Sequence, residues 1–554
     1  MNININDIEV IMKENILNWA NKVIYQIFPR SFKDSNNDGN GDLRGIISKL
    51  DYLENLGIDA IWLCPVYETE FADAGYDVLD YKKIWSTFGT IEDFKFLVEE
   101  AKKRNIEIIM DIVLNHTSNK HQWFLKAIES EKNKEHNYYI WTDKPGDEES
   151  IFGGSAWEYV PSLNKYYFHL FAKEQVDLNW ESDFTIDAMV DVIDFWYNLG
   201  VRGFRLDAIQ HVHKETNNGN FSHSFGSKMV EYLQKFENKI YETKKDVFFI
   251  GEASGIQPNT VLKYAQGKDK IADNFYNFGS WWIGWGKETG RNGYDANWKI
   301  SDFANPAILE YQNNKEIKNY MITNFMSSHD TARSISRWGD EKLFWEESAK
   351  SLALYQFSLK GIQTVLYGEE IGLKNPIFHS RKDFRDVDAL NAYRIFVDEK
   401  KKYTEQEMTR FHNINSRDNS RIPMVWNKKE NFGFNEGKKT WIKKSGYYLN
   451  SSVEEQERKE DSILNFYKNI IKLRKKFSSV LIDGEAQMEL LENEVIKVTR
   501  FSNDQKIVSL INLTNKEKTI DSFNNREILL NTYSDKKGIE NILRPYQSIM
   551  FLEK

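Results

Sequence analysis

The sequence predicts an α/β fold: a closed (β/α)8 barrel with a domain inserted after its third strand and an antiparallel β domain at its carboxyl end. Short apolar segments alternate with helix-like segments, about eight of each, as a closed parallel sheet requires. A stretch rich in Trp, Tyr and Gly separates the third apolar segment from the fourth, and from residue 480 onward short alternating strands replace the helical spacing. The predicted domains are 1–116 with 187–479 for the barrel, 117–186 for the insertion and 480–554 for the β domain.

The barrel strands are predicted from apolar runs bounded by turns or helices. In chain order they are VIYQIFP from 23, GIDAIWLCPV from 57, IEIIMDIVLNH from 106, VRGFRLDA from 201, DVFFIGE from 246, NFYNF from 274, MITNFMSSHD from 321 and GIQTVLYGEE from 361.

Apolar residues at helical spacing predict the intervening helices. One continuous helix is expected over LRGIISKLDYLENLG from 43, and a second over FGTIEDFKFLVEEAKKRN, with Thr90 as its amino-terminal cap. A third covers HSFGSKMVEYLQKFENKIYETK from 223, and SILNFYKNIIKLRKKF from 462 is expected to close the barrel.

Bulk composition limits the classes of function. The chain is 41% hydrophobic and 28% charged, which is typical of a soluble globular protein. A net charge of −9 argues against nucleic acid as a partner. No segment approaches the roughly 20 apolar residues of a membrane span, and the amino end shows no signal-peptide core. The chain is therefore expected to work in the cytoplasm, with secretion by an unusual route as the alternative. Cys64, the one cysteine, cannot form an internal disulfide and is expected to be a small buried apolar residue.

The strand VRGFRLDAIQH brings an arginine and a carboxylate to one rim of the predicted barrel. Arg205 and Asp207 are two positions apart, so their side chains point to the same side of the strand. A guanidinium so close favours the ionised carboxylate, which suits a nucleophile. A structural ion pair that caps the strand fits this stretch alone equally well.

Polar residues follow several other strands, at the edge where parallel barrels place their active sites. They are Asp111, Asn115 and His116 after the third strand, Glu252 after the fifth, and His329 and Asp330 after the seventh. Three carboxylates without a metal-binding His or Cys cluster indicate acid and base chemistry on an uncharged polar substrate. Glycoside hydrolysis needs an ionised nucleophile, a protonated acid and stabilisation of positive charge on the sugar ring, roles that suit Asp207, Glu252 and Asp330 respectively.

At this point the sequence resembles the α-amylase superfamily of glycoside hydrolases along nearly its whole length. The motifs in order are GIDAIWLCPVY, DIVLNHT, QVDLNW, GFRLDAIQH, FIGEAS, MSSHDTAR and GIQTVLYGEE. The oligo-1,6-glucosidase and α-glucosidase branch is similar through IYQIFPRSFKDSNNDGNGDLRGI, DAGYDVLDY, FGGSAWEY and SRDNSRIPMVW.

The resemblance implies a retaining double displacement, with Asp207 as nucleophile, Glu252 as acid and base, and Asp330 as transition-state stabiliser. His116, Arg205 and His329 match residues around the first sugar. Asp73 and Arg417 match a pair that grips its far hydroxyls, which implies exo-action with release of one glucose. Tyr76 matches a stacking ring, and Phe171 is a candidate second aromatic wall.

The loop DSNNDGNGD places oxygen-bearing side chains at alternate positions, a spacing suited to a hard cation. The candidate ligands are Asp34, Asn36, Asp38, Asn40 and Asp42. A solvated turn is the alternative. The resemblance implies a structural Ca2+ (or Mg2+), with Asn40 contributing its backbone carbonyl.

Ala208, directly after the nucleophile, bears on the linkage that is cleaved. In similar enzymes Val at this place accompanies α-1,6 preference and Ala or Thr accompanies α-1,4, so α-1,4 bonds are favoured here. The alternatives are an oligo-1,6-glucosidase or dextran glucosidase, a trehalose-6-phosphate hydrolase, a sucrose-cleaving enzyme or transglycosylase, and a catalytically inactive sugar-binding homologue. A phosphate-binding hydrolase requires cations near the leaving group, for which Lys173, Arg337 and Lys382 are candidates. The expected partner is a small oligosaccharide, and the chain is expected to act as a monomer or weak homodimer.

Overall fold

The computed structural model describes residues 15–217, 220–437, 439–444, 451–521, 526–535 and 541–553. Eight parallel strands close into a barrel in which each strand pairs with its neighbours in the sequence, and β1 pairs with β8. The strands are β1 Val23–Ile27, β2 Ala60–Leu63, β3 Glu107–Val113, β4 Gly203–Asp207, β5 Phe248–Gly251, β6 Asn274–Tyr276, β7 Ile322–Asn324 and β8 Ile362–Leu366. The predicted (β/α)8 barrel is confirmed.

Helices cover the outside of the barrel because each turns an apolar face toward the sheet. The helices that connect successive strands and close the barrel are Leu43–Ile47 and Leu50–Leu56, Ile91–Lys103, Asp183–Asn198, Met229–Tyr241, Pro258–Ala265, Pro306–Asn313, Ser334–Trp338 and Trp345–Ser358, and Ile463–Lys476. Thr90 caps its helix as predicted, in a capping box with Asp93, and Ser462 caps the closing helix.

Several predicted elements differ in extent, for example the helix expected from residue 223, which begins at Met229. The helix expected from residue 43 is two helices, because the backbone of Lys49 leaves helical geometry between them. The seventh strand ends at Asn324, so Asp330 lies in a turn beyond it rather than on the strand. That turn is held by the Thr331 hydroxyl, which accepts a hydrogen bond from the Ser328 backbone N–H at 3.0 Å.

A long excursion leaves the barrel after β3, where the inserted domain is predicted. It contains a three-stranded antiparallel sheet of Trp141–Thr142, Trp157–Val160 and Lys165–Phe168. A two-stranded ribbon, His116–Ser118 with Gln175–Asp177, joins its beginning to its end. The ribbon brings the excursion back to the barrel rim, so residues near 171–177 lie close to the strand ends. The predicted boundaries of this domain stay predictions.

A second excursion follows β8, with helices Val387–Ala392, Glu405–Asn415 and Val453–Arg458. It delivers Asp386 and Arg417 to the same rim of the barrel. The carboxyl-terminal part folds into a five-stranded antiparallel sheet, as predicted. Its strands are β9 Glu485–Leu490, β10 Ile496–Phe501, β11 Lys506–Ile511, β12 Glu527–Asn531 and β13 Ser548–Glu553.

Cys64 is buried, in agreement with its predicted role as a small apolar residue. Among the helices that the structure describes, none has the length and apolar character that crossing a membrane requires.

Candidate active site

The strand register places one arginine among three carboxylates. Arg205 on β4 is the direct neighbour of Asp111 on β3, and Leu206 is the neighbour of Gly251 on β5. Asp207 therefore ends β4 beside Glu252, which follows β5. Because side chains two apart on a strand share a face, Arg205 and Asp207 both point toward the barrel axis, as predicted.

Arg205 binds all three acids. Its Nη1 donates to Asp207 and, at 2.7 Å, to Asp111, and its Nη2 lies 3.1 Å from Glu252 Oε2. The Ala208 backbone N–H donates to the same Glu252 oxygen at 2.8 Å. One guanidinium is therefore shared among three buried carboxylates.

The pKa of Asp207 shifts in the opposite direction to the sequence-based expectation. Burial raises the pKa of this carboxyl well above its usual value, and Arg205 offsets this only in part because Glu252 and Asp111 add negative charge. The prediction that Arg205 would by itself hold Asp207 ionised is therefore wrong. Asp207 as nucleophile and Glu252 as acid and base stay predictions from the family resemblance.

Asp330 has the opposite electrostatic surroundings. His329 Nε2 lies 2.9 Å from its Oδ2, and Arg421 and Arg417 lie 3.0 and 3.3 Å from its Oδ1. Burial raises its pKa, but these three partners together hold the pKa of Asp330 well below its usual value. Asp330 is thus a fixed negative charge, suited to stabilising positive charge on a sugar ring.

Tyr76 connects the two sides of the carboxylate group. Its hydroxyl donates to Asp111 Oδ2 at 2.8 Å and lies 2.7 Å from His329 Nε2. The Tyr76 and His329 rings are stacked, with centroids 5.3 Å apart. The predicted stacking ring therefore also orients an acid and an imidazole.

Asp73 and Arg417 form a buried ion pair. Arg417 Nη2 lies 3.0 Å from Asp73 Oδ1, and its Nε donates to Asp386 at 2.9 Å. Gln175, which was not predicted, donates to Asp73 Oδ2 at 3.2 Å and contacts His116 Nε2 at 2.9 Å. Gln175 lies within the QVDLNW motif, so the sequence could have identified it as a candidate site residue.

His116 and Phe171 bring the first excursion into the site. Their rings are 5.3 Å apart, and His116 Nε2 lies 3.2 Å from the Tyr76 carbonyl oxygen. Burial lowers the pKa of His116 to about 4, so its imidazole is uncharged near neutral pH. It is therefore suited to hydrogen bonding rather than to proton transfer.

These groups surround a cavity of about 270 Å3 at the carboxyl ends of the strands. Eight of the ten predicted catalytic and substrate-binding residues line it, seven of which are Asp73, Tyr76, His116, Phe171, Asp207, Glu252 and Arg417. Asp330 lines it as well. Arg205 and His329 lie behind the carboxylates and line a small adjoining cavity with Glu252, so they position acids.

Several lining residues were not predicted from the sequence. They are Ile151 and Phe152 from the first excursion, Gln210, His211 and Ser254 near the two central carboxylates, and Trp281, Trp282, Trp285 and Arg291 from the segment after β6. The segment after β6 contains no family motif that was recognised in the sequence. Its tryptophans could not be distinguished from core tryptophans by sequence alone.

The loop proposed to hold an ion folds around its own carboxylates. Asp34 accepts hydrogen bonds from the backbone N–H groups of Asn36, Asn37 and Gly39, and Asp42 caps the following helix through Gly45 at 2.7 Å. Asn40 uses its side-chain oxygen to accept from Arg30, which is compatible with the expected use of its backbone carbonyl.

The donor set of this loop consists of oxygens, which fits a hard cation. No group of three or more His, Cys, Asp and Glu side chains among the described residues forms a metal site, so amide and backbone oxygens would have to complete the ligand set. Ca2+ or Mg2+ at Asp34, Asn36, Asp38, Asn40 and Asp42 stays a prediction.

The family comparison agrees with this geometry. The α-amylase catalytic domain matches residues 26–484 of the chain. The chain belongs to the α-amylase family of glycoside hydrolases. A barrel with carboxylates at the carboxyl ends of β4 and β5 is therefore its catalytic domain.

Relatives of this α-amylase family member extend along nearly its whole length. An oligo-1,6-glucosidase from Parageobacillus thermoglucosidasius is 33% identical over 562 aligned residues, which cover 96% of this chain and 98% of that enzyme. A glucan 1,6-alpha-glucosidase from Streptococcus pneumoniae is 35% identical, with the same coverage of both chains. A trehalose-6-phosphate hydrolase from Bacillus subtilis is 33% identical, again with 96% and 98% coverage.

Solved structures of the family match in three dimensions. The trehalose-6-phosphate hydrolase of Bacillus licheniformis superposes with a TM-score of 0.88 at 33% identity, covering 97% of this chain and all of that one. An isomaltulose synthase from Klebsiella sp. LX3 superposes with a TM-score of 0.90 at 31% identity, covering 97% of this chain and 99% of that one. Structures of a hydrolase and of a synthase thus share this architecture.

Proposed function

We propose that the protein is a retaining, exo-acting α-glucosidase that releases one glucose at a time from short oligosaccharides. The observation that carries this proposal is that one small cavity contains both a pair of carboxylates and a buried ion pair. Asp207 and Glu252 share Arg205 at the strand ends, and the buried Asp73 and Arg417 pair closes the far side. A cavity closed in this way accepts a terminal sugar rather than the middle of a chain.

The proposed roles are those that the family resemblance implies. In the first step Glu252 donates its proton to the glycosidic oxygen, while an Asp207 oxygen forms a bond to the anomeric carbon and the bond to the leaving sugar breaks. In the second step Glu252 takes a proton from water, whose oxygen replaces Asp207 on that carbon. Asp330, whose pKa is held low, stabilises the positive charge in both transition states.

Preference for α-1,4 bonds rests on Ala208. This residue lines the cavity and has a left-handed backbone with φ of 50°, a conformation that disfavours β-branched side chains. A small residue leaves room beside the acid for the leaving sugar of an α-1,4 bond. The second candidate is α-1,6 cleavage, which the names of the oligo-1,6-glucosidase and glucan 1,6-alpha-glucosidase relatives favour.

Cleavage of a phosphorylated disaccharide is less well supported. Lys173 and Lys382 are exposed and do not line the cavity, and Arg337 donates to the carbonyl oxygens of Trp281 and Ile283. In the described part of the chain, the cations that line the cavity are Arg291 and Arg417, and both bind carboxylates. Neither arginine is therefore available as an unpaired charge for a phosphate.

Initial rates of glucose release test this proposal, with maltose, maltotriose, isomaltose, sucrose, trehalose and trehalose 6-phosphate as substrates and Asp207→Asn as the blank. Highest kcat/KM on maltose and maltotriose is the expected result. The highest kcat/KM on isomaltose would agree with the proposed α-glucosidase activity but would contradict the proposed α-1,4 preference. Preference for trehalose 6-phosphate, or equal activity in the blank, would contradict the proposal.

A structural Ca2+ or Mg2+ in the loop from Asp34 to Asp42 belongs to the proposal. The buried Asp34 and Asp42 supply oxygen ligands within a folded loop, and the loop is held to the second excursion by Asn435, which donates to Asp34 at 2.7 Å. The ion is assigned to stability because none of these residues lines the cavity.

We also propose that the protein is a cytoplasmic monomer or weak homodimer. Its single buried cysteine is compatible with a reducing compartment.

A further inference from the structure

Arg30, shortly after β1, lies in a cage of three aromatic rings outside the active-site cavity. Its guanidinium carbon is 4.2 Å from the centre of the Phe71 ring, 5.3 Å from that of Trp85 and 4.4 Å from that of Trp441. None of these four residues lines the cavity. A guanidinium packed against aromatic rings is attracted to them electrostatically, and the attraction grows as the group loses water.

The aromatic cage joins segments that are far apart in the sequence. Arg30 follows β1, Phe71 follows β2, and Trp441 belongs to the excursion after β8. Arg30 Nε donates a hydrogen bond to the Asn40 side-chain oxygen at 2.7 Å. The Trp441 backbone N–H donates to the Gly39 carbonyl oxygen at 2.9 Å. Arg30 therefore fixes the Phe71 ring relative to two other segments of the chain.

Phe71 shares a strained loop with Asp73, which lines the cavity. Phe71 has a φ of 64° and Ala74 a φ of 54°, in the left-handed region that residues other than glycine rarely adopt. Such a backbone is costly and persists only where the surrounding structure holds it. The Asp77 carboxylate accepts a hydrogen bond from the Asp73 backbone N–H at 3.1 Å and holds that part of the loop. Arg30 holds the part that carries Phe71.

We propose that Arg30 is a positioning residue for Asp73: by holding the Phe71 ring, it fixes the loop that presents the Asp73 carboxylate to the bound glucose. This role rests on the proposed function, in which Asp73 contacts the far hydroxyls of the sugar. Those hydroxyls are remote from the bond that breaks, so their contacts stabilise the bound substrate and the transition state alike. Loss of Arg30 therefore raises KM and leaves kcat nearly unchanged.

The test measures kcat and KM separately on α-glucosyl fluoride, which occupies the glucose site whatever linkage the enzyme prefers. Arg30→Lys keeps the charge but loses the planar group that packs against the Phe71 ring. It is expected to raise KM about fivefold, with kcat within about twofold of the wild type. Phe71→Leu removes the ring without touching the Arg30 contact to Asn40, and it is expected to raise KM to a similar extent. Kinetics are measured well below the Tm of each variant.

Arg202→Lys is the matched control, because the Arg202 guanidinium carbon lies 4.0 Å from the centre of the Tyr197 ring and neither residue lines the cavity. Its KM is expected to equal that of the wild type. An unchanged KM in Arg30→Lys or in Phe71→Leu would overturn the positioning role even if Tm falls, because a purely structural role lowers Tm alone. An equal rise in KM in Arg202→Lys would also overturn it. A wild-type enzyme that does not cleave α-glucosyl fluoride would reject the proposed function and this role with it.

Discussion

Arg417 Nη2 lies 3.0 Å from Asp73 Oδ1, although the two residues are 344 positions apart in the sequence. Asp73 follows β2 and Arg417 belongs to the excursion after β8, so their pairing joins two loops across the barrel rim. Both side chains are buried, and Arg417 also binds Asp386 and Asp330. In the proposed function, this pair contacts the far hydroxyls of the bound glucose.

Replacing Arg417 by lysine keeps the charge but removes the planar fork that binds three acids. We expect Arg417→Lys to lower kcat/KM for maltose about 100-fold and to lower the apparent Tm, because buried carboxylates lose partners. The control is Arg381→Lys, since Arg381 pairs with Asp398 on the surface. Unchanged kcat/KM in Arg417→Lys would show that the pair does not define the glucose site.

Removing the Tyr76 hydroxyl separates its two functions. Tyr76→Phe keeps the ring that stacks on His329 but leaves Asp111 and His329 without that partner. We expect kcat/KM to fall about tenfold and the free energy of unfolding to fall by about 1 to 2 kcal/mol. Steady-state kinetics and urea unfolding measure these effects. Tyr159→Phe is the control, because Tyr159 is 47% exposed and does not line the cavity. Wild-type kinetics in Tyr76→Phe would contradict the orienting role.

Glu237, on the helix Met229–Tyr241, gives a pH-dependent prediction about stability. Burial raises its pKa from 4.5 to about 8, although Lys270 opposes the shift. The folded state therefore binds more protons than the unfolded state between these values, and stability that is present below the unfolded pKa is lost as pH rises through the folded pKa.

The Glu237→Gln variant removes this titration. We expect its apparent Tm to match that of the wild type at about pH 5 and to exceed it at about pH 9. At the higher pH its free energy of unfolding should be larger by about 1 to 3 kcal/mol. Glu242→Gln, at an exposed position just past the same helix, serves as the control. The same Tm difference at both pH values would refute the assignment of a raised pKa.

Chelation tests the proposed ion. We expect a chelator to lower the apparent Tm by several degrees, since an ion that binds only the folded state stabilises it, while leaving kcat near the wild-type value well below that temperature. Asp38→Ala should have a lower Tm that no longer responds to chelator, in contrast to the exposed Asp147→Ala. Loss of turnover without a change in Tm would assign the ion to catalysis instead.

The barrel could be predicted because buried parallel strands have nearly continuous apolar sequences. The acids of the site lie at the carboxyl ends of those strands. Asp207 and Glu252 were identified from that pattern and from the family motifs. The direction of the Asp207 pKa shift could not be predicted, because it depends on the burial of Asp207 itself and on the charges of Glu252 and Asp111 around the same guanidinium. Sequence neighbours alone suggested a single Arg and Asp pair.

The remaining parts of the site depend on contacts between distant segments. Gln175 bridges Asp73 and His116 only because the ribbon Gln175–Asp177 folds back onto the rim. Trp282 lies in a segment without periodicity, so nothing in the sequence separated a core tryptophan from one exposed at the cavity. Such residues are defined by tertiary packing rather than by local pattern.

The most direct test of the central claim is to trap the covalent intermediate with a slow fluorinated α-glucosyl fluoride and to locate the label by peptide mass spectrometry. The account predicts one glucosyl adduct, on the peptide that carries Asp207, and slow reactivation in buffer. An adduct on Glu252 or Asp330 would contradict the assignment of the nucleophile, and turnover with release of β-glucose as the first product would contradict retention.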